Sequence, residues 1–237
     1  MKFEKDPIGH AIYDFSTENE VENITVIADS FDDDIMPTAY LFRPEELMPG
    51  LEKKALELCK GYVLDVGAAA GCHSKILIDK GLKVRAIDTS KGAVEYLKSE
   101  GILADRLEFL DCEGQYDTIL ILMNGVGIAG KLELLPQFLS KIKSLLNKDG
   151  IALCDSTDLS YLYQEEDGSM WVDLNGSYHG ELQFKMRYKD VTTDWFSWLY
   201  IDFDLLKEYC EKAGLNCEKI MDGPSNNYLA KITHSHA

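Results

Sequence analysis

The stretch VLDVGAAAGCHS puts an acidic residue, Asp65, inside an apolar run and follows it with Gly67, Ala69 and Gly71 at alternating positions, where a helix can open. Small residues in such a turn let backbone N–H groups and a helix N-terminus come close to a ligand. A nicotinamide-binding turn would want glycines at its first, third and sixth positions, and Cys72 stands at the sixth. Asp65, two residues before the first glycine, suits a cation better than a pyrophosphate. A second carboxylate, Asp88, ends VRAID, where it can accept hydrogen bonds from both hydroxyls of a ribose. A third, Asp111, ends LEFLDC together with Cys112 and could take the amino group and ring edge of an adenine. Taken singly, each has a plainer role. Asp88 can cap a helix that starts near Ser90, Asp111 can sit in a turn, and the thiols of Cys72 and Cys112 can simply pack.

Those residues need a scaffold, and the apolar spacing supplies one. Leu51, Ala55, Leu56 and Leu58 mark a helix face that Gly61 ends, and 62–66 reads as a buried strand. A helix over 71–80, a strand over 82–87, a helix over 91–100 and strands over 107–110 and 116–123 follow. A long helix over 131–146 comes next, with Gly150 as its stop, and then a strand over 151–154. Continuous apolar strands separated by helices mean a parallel sheet covered on both faces. The rhythm then changes. Leu182, Phe184, Met186 and Tyr188 alternate with polar residues over 181–189, a half-exposed strand that 195–201 can pair with as a hairpin inserted after the fifth strand. A helix over 204–213 leads to a closing antiparallel hairpin of 215–221 and 228–233. The expected fold is α/β, a doubly wound, mostly parallel seven-stranded sheet with an antiparallel C-terminal hairpin.

The ordered set of Asp65, the small-residue turn, Asp88 and Asp111–Cys112 resembles the class I S-adenosylmethionine-dependent methyltransferases, whose domain is Rossmann-like. By motif the resemblance covers about 61–153, and by element order it covers 49–233. It implies S-adenosylmethionine as cofactor and S-adenosylhomocysteine as product. It further implies that Asp65 orients the turn near the methionine ammonium, that Gly67, Ala68, Ala69 and Gly71 form the cradle, and that Asp88 with Thr89 meets the ribose. Asp111 with Cys112 would read the adenine, and Asn124 and Gly125 would lie near the transferable methyl. Ala69 stands where the pattern usually has a glycine, which puts a methyl beside the cofactor. Upstream segments in this family often close over the cofactor. Here Tyr40 and Arg43 fall in such a segment, and Arg43 could pair with the methionine carboxylate or be an ordinary surface arginine.

The remaining composition narrows the acceptor. Forty-one acidic residues against 24 basic ones give a formal net charge of −17, with no Lys/Arg-rich stretch, so nucleic acid is not an expected partner. Asn124 is followed by Gly-Val-Gly rather than by the two prolines and aromatic of the base-methylating enzymes. No apolar run is long enough for a membrane span, no CxxC pair joins the six cysteines, and no histidines are spaced as a metal pair, which points to a cytoplasmic chain without a metal. Asp32, Asp33 and Asp34 read as a solvated turn. The first 48 residues form an acidic extension, yet Tyr13, Phe15, Ile24, Val26 and Phe31 make it too apolar for a loose tail, so it should pack over the cofactor site. The segment 159–200, with Tyr161, Tyr163, Trp171, Tyr178, Trp195 and Trp198, reads as a lid and substrate wall for a small molecule, or as the face of a homodimer. The expected activity is in-line methyl transfer to an O- or N-acceptor on a small molecule. A peptide side chain as acceptor and a non-catalytic scaffold or sensor stand as alternatives. Asn124, His73 and His179 are the candidates for handling a proton, and His73 could instead pack or cap.

Overall fold

The computed structural model describes residues 4–163 and 177–235. In chain order it runs α1 (Pro7–Ser16), β1 (Ile24–Ala28), β2 (Asp34–Met36), α2 (Gly50–Leu58), β3 (Tyr62–Val66), α3 (Cys72–Asp79), β4 (Lys83–Asp88), α4 (Lys91–Ser99) and β5 (Ala104–Arg106). It continues with β6 (Tyr116–Ile121), α5 (Leu135–Leu145), β7 (Leu146–Thr157), β8 (Glu181–Tyr188), β9 (Val191–Thr192), β10 (Phe196–Leu199), α6 (Phe203–Lys212), β11 (Leu215–Asp222) and β12 (Asn227–His234).

Seven strands form the main sheet in the order β11-β12-β7-β6-β3-β4-β5, with β12 antiparallel to β7 and the five earlier strands parallel. Successive residues of a strand point to opposite faces, so the apolar runs supply two cores at once. Val63, Val84, Leu120 and Leu153 turn to the side of α2 and α3, where Leu51, Ala55, Leu56 and Leu77 meet them. Leu64, Ile87, Ile119 and Cys154 turn the other way, onto Phe138, Leu139 and Ile142 of α5 and Leu206 and Cys210 of α6. Asp88 and the turn after β3 therefore open at the carboxyl edge of the sheet, beside the switch between β3 and β6.

The N-terminal segment is more regular than its composition suggests. It holds a helix and two strands, and these strands do not stand alone. A second, antiparallel sheet has the order β10-β8-β1-β2, so the inserted hairpin and the N-terminal extension are halves of one structure. The pairing of β8 with β10 follows from their alternation, whereas β1 joins β8 across some 160 residues of chain, a partnership that no local pattern encodes. The acidic run is correspondingly only part turn, because Asp34 opens β2. Helix α1 is fixed by Asp6, whose carboxylate accepts from the N–H of Gly9 at 2.9 Å and of Gly92 at 3.0 Å, stitching α1 to the start of α4. The two helices touch backbone to backbone there: a Cβ on Gly9 would lie 2.7 Å from the Gly92 Cα.

Several boundaries differ from the spacing argument. The strand expected over 107–110 is β5, displaced to 104–106, and Phe109–Asp111 is a 3-10 turn. Phe109 sends its ring into the core against Phe138 instead of joining the ladder. The helix expected over 131–146 begins at Leu135, with Pro136 in its first turn. Gly150 is not its stop but part of β7, where a Cβ would fall 2.9 Å from the Tyr116 carbonyl oxygen. Met123, expected as a strand residue, leaves β6 with φ +68°. His234 ends β12, and its ring donates to the Leu146 carbonyl at 3.2 Å. Trp171 and His236 lie outside the described residues. No helix of the described residues is long and apolar enough to cross a membrane.

Candidate active site

At the end of β3 the chain turns through three left-handed residues, Gly67 at φ +71°, Ala69 at +47° and Gly71 at +75°. The glycines serve different ends. A Cβ on Gly71 would strike Leu97 at 2.5 Å, so its absence lets α3 pack on α4. A Cβ on Gly67 would find only Ile128 Cδ1, 4.0 Å away, so the space above this residue is open to a ligand. Ala69 adopts its left-handed conformation at a cost of about 1 kcal/mol, because its N–H donates to Asp88 Oδ2 at 2.8 Å. Its methyl joins Leu41, Met36 and Met186 in the apolar cluster beneath the second sheet. Asp88 Oδ1 accepts from the Ser90 N–H at 2.8 Å, so one carboxylate ties the turn to the start of α4. Burial pushes the Asp88 carboxyl up to about 6, against the two backbone N–H groups that hold it down and with the charges of Asp6 and Asp65 adding to the rise.

Behind the turn lies a buried polar chain. Asp65 accepts from the Ser74 hydroxyl at 2.5 Å in the first turn of α3, and burial raises its carboxyl despite nearby His73 and Ser74. Glu52, from α2, accepts from His73 Nε2 at 2.7 Å and from the Arg43 guanidinium. Burial alone would raise the Glu52 carboxyl, but His73 and Arg43 outweigh it and hold it below the usual carboxylate range. Arg43 is only 4% exposed. One of its terminal nitrogens donates to the Tyr40 carbonyl at 2.6 Å, and its plane lies 3.9 Å over the Tyr40 ring. Its Nε, buried, has no partner. Leu41, Arg43, Gly67, Ala68, His73 and Met123 line a single cleft. A buried arginine donor without a partner, on a residue that lines the same cleft as Gly67, is a fit for an anionic ligand group.

The loop after β6 closes the other side. Asn124 is left-handed at φ +56°, and the N–H groups of Asn124 and Gly125 donate to the Asp155 carboxylate at 3.0 and 3.2 Å. Burial pushes Asp155 up to about 6, opposed by those same two donors. The Asn124 side-chain oxygen accepts from the Thr157 hydroxyl at 2.6 Å, and its carbonyl accepts from the Trp198 indole at 3.1 Å. That indole lies flat over Gly127, where a Cβ would come within 2.0 Å of it.

The structure thus gathers Arg43, Gly67, Ala68, Ala69 and His73 around one cleft, with Asp88 bonded to the Ala69 N–H and Asn124 and Gly125 following Met123 of its lining. Thr89 sits beside Asp88, its carbonyl accepting from Arg106 Nε at 2.9 Å. Asp111 is exposed in the 3-10 turn beyond β5. Cys112 is fully buried, its N–H donating to Phe109 and its carbonyl accepting from Lys141 Nζ at 3.0 Å. His179 stands between the rings of Tyr163 and Tyr178, and its buried Nε2 has no partner. Glu52, Asp6 and Asp155 do not emerge from the motifs. Only an acid inside the apolar face of a helix, as Glu52 is in α2, could have signalled one of them. No group of three or more His, Cys, Asp or Glu side chains suited to a metal occurs among the described residues.

No protein-family model and no curated protein matches the chain. Among solved structures it is similar to a SAM-dependent methyltransferase from Bacteroides fragilis in complex with S-adenosyl-L-homocysteine. The two are 43% identical over 100% of this chain and 98% of that one, with a TM-score of 0.92. The CcbJ methyltransferase from Streptomyces caelestis shares the fold at 12% identity, 99% and 100% coverage and a TM-score of 0.63. The sugar N-methyltransferase KedS8 from Streptoalloteichus shares it at 11% identity, 78% and 85% coverage and a TM-score of 0.55.

Proposed function

The chain belongs to the S-adenosylmethionine-dependent methyltransferases, and from that premise we propose that it methylates a small organic molecule held between the carboxyl ends of β3 and β6 and the inner face of the second sheet. The observation that carries this reading is the reach of that face. Directly opposed residues of antiparallel strands share a face, so the pairs Ile24–Met36, Val26–Met186, Ala28–Phe184, Phe184–Phe196 and Leu182–Trp198 put the even-numbered side chains together. At one end Met36, Met186 and Tyr188 rest in the cluster that includes Ala69 and Ala70 of the turn. At the other, Trp198 rests on Asn124 and Gly127. The stretch between them runs from the turn after β3 to the loop after β6, the span in which the acceptor would lie.

Within it each residue has a part. Gly67 and Ala68 leave room for the cofactor to approach the backbone, Gly71 lets α3 pack so that the turn keeps its shape, and Asp88 accepts from the ribose hydroxyls with the lone pairs that Ala69 and Ser90 leave free. Arg43 offers its unpartnered Nε to the methionine carboxylate, while Glu52 and Tyr40 keep the guanidinium aimed. Asp111 and Cys112 border the adenine end. Bound S-adenosylmethionine supplies an electrophilic methyl on a sulfonium. The protein then has to hold an acceptor in line with it, exclude water and leave a path for a proton, and positioning alone can supply several kcal/mol of the barrier. Asp155, a carboxyl that burial pushes up to about 6 beside the Asn124–Gly125 loop, is the group that receives one. Formation of S-adenosylhomocysteine over a panel of small amines, alcohols and carboxylates tests the reading. Turnover with at least one small acceptor supports it, and turnover only with peptides or nucleic acids would refute it.

A further inference from the structure

Between its two anchored ends, the inner face of the second sheet is sorted by chemistry. Phe184 lies 6.3 Å from both Phe196 and Tyr200, centroid to centroid, and Phe196 lies 6.1 Å from Trp198. All four rings are half-buried, so none is sealed into the core. Asp34, paired with Val26, falls on the same face and is exposed at its rim. The cations of β8 alternate to the opposite face, where Lys185 Nζ stands 4.7 Å over the Trp195 ring, and Arg187 opposes Thr25. No Lys or Arg falls on the inner face of these strands among the described residues. Burial, and after it the charges of Asp155 and Asp34, push the Tyr200 phenol up to about 12.

We infer that this face selects a cationic amine as the methyl acceptor, with the rings of Phe184, Phe196, Trp198 and Tyr200 around the nitrogen and Asp34 as its counter-charge. The inference rests on the methyltransferase reading and narrows its acceptor. Aromatic faces carry negative potential and attract an ammonium group, but they give no comparable attraction to a hydroxyl and repel an anion. A carboxylate or phosphate acceptor would lose its hydration here without gaining a cation in return. The net charge of −17 adds a long-range pull of the same sign. The chemistry closes. The bound ammonium first releases one proton to the Asp155 carboxylate. The nitrogen lone pair then forms a bond to the donor methyl carbon as the carbon–sulfur bond breaks with its electron pair to sulfur. The positive charge passes from sulfur to nitrogen under the same rings, which hold it throughout.

The test is a calorimetric titration of the protein saturated with S-adenosylhomocysteine, using choline and its uncharged isostere 3,3-dimethylbutan-1-ol. Choline should bind about five- to thirtyfold more tightly than the alcohol. Phe184→Leu and the exposed, structurally mild Asp34→Asn should each reduce that preference several-fold while leaving S-adenosylhomocysteine binding unchanged. On the acceptor panel, turnover should fall among the amines. Equal binding of choline and the alcohol, no response to Asp34→Asn, or turnover confined to carboxylates or alcohols would each overturn the amine assignment alone. Failure of the wild type to bind S-adenosylhomocysteine would overturn the underlying reading with it.

Discussion

The backbone N–H of Ala69 donates to the Asp88 carboxylate at 2.8 Å, so the acid after β4 and the small-residue turn after β3 are one unit rather than two neighbouring motifs. The same carboxylate accepts from Ser90 at the start of α4, while Asp6 reaches that helix from α1. The proposed ribose acid, the left-handed alanine, the start of α4 and the docking of the N-terminal helix are therefore linked through a chain of hydrogen bonds.

Because burial pushes Asp88 up to about 6, cofactor affinity should depend on pH. Accepting from both ribose hydroxyls requires the ionised form. Affinity for S-adenosylhomocysteine should be flat above pH 7 and fall as pH drops through about 6, by up to tenfold per pH unit. For folding alone the sign is opposite, since a raised carboxyl costs stability above its folded pKa and that cost disappears as pH falls toward 4. Asp155 titrates in the same range, so Asp88→Asn is the control: binding should be weaker and no longer vary over pH 5–7.

Glu52→Gln should destabilise the fold by about 3 kcal/mol or more in urea denaturation, because it leaves the buried Arg43 without its charge partner. The Glu52 carboxyl is held below its usual range, so its contribution is present above pH 5 and is lost as pH falls through the folded value. Wild type and variant should therefore converge in stability toward acid.

Arg43→Gln should separate the two halves of that arginine's role. Loss of the orphaned Nε from the cleft should weaken S-adenosylhomocysteine at least fivefold, whereas adenosine, which lacks the carboxylate, should bind both proteins alike.

Gly127→Ala would place a methyl within 2.0 Å of the Trp198 indole and force it off the loop. The expected cost is about 1–3 kcal/mol in stability, with turnover falling much more than cofactor affinity, since the indole roofs the acceptor side. Calorimetry alongside steady-state kinetics reads both.

How much of this was legible in the sequence depended on the range of the forces involved. The parallel strands and their helices follow from local apolar runs, and Asp65, Gly67 and Asp88 from their places at strand ends. Strand β5 was misplaced because Phe109 looks like a strand residue but buries itself beneath the sheet edge. The second sheet was only half visible: β8 shows its alternation, but β1 and β2 are too short and too acidic to declare themselves without the partner that the fold brings to them. Arg43 could be suspected but not distinguished from a surface residue, because its burial depends on Glu52 and Tyr40 arriving from separate turns. Ala69 takes the left-handed conformation that favours the glycine it replaces, because its N–H is held by Asp88 and it packs in the cluster with Leu41, Met36 and Met186.

Calorimetric titration with S-adenosylhomocysteine, run on wild type and Asp88→Ala with NAD as the control ligand, tests the donor site most directly. Micromolar binding of S-adenosylhomocysteine, weakened tenfold or more by Asp88→Ala and absent for NAD, is the predicted result. Undetectable binding of S-adenosylhomocysteine, or binding that Asp88→Ala leaves untouched, would contradict the site as built here.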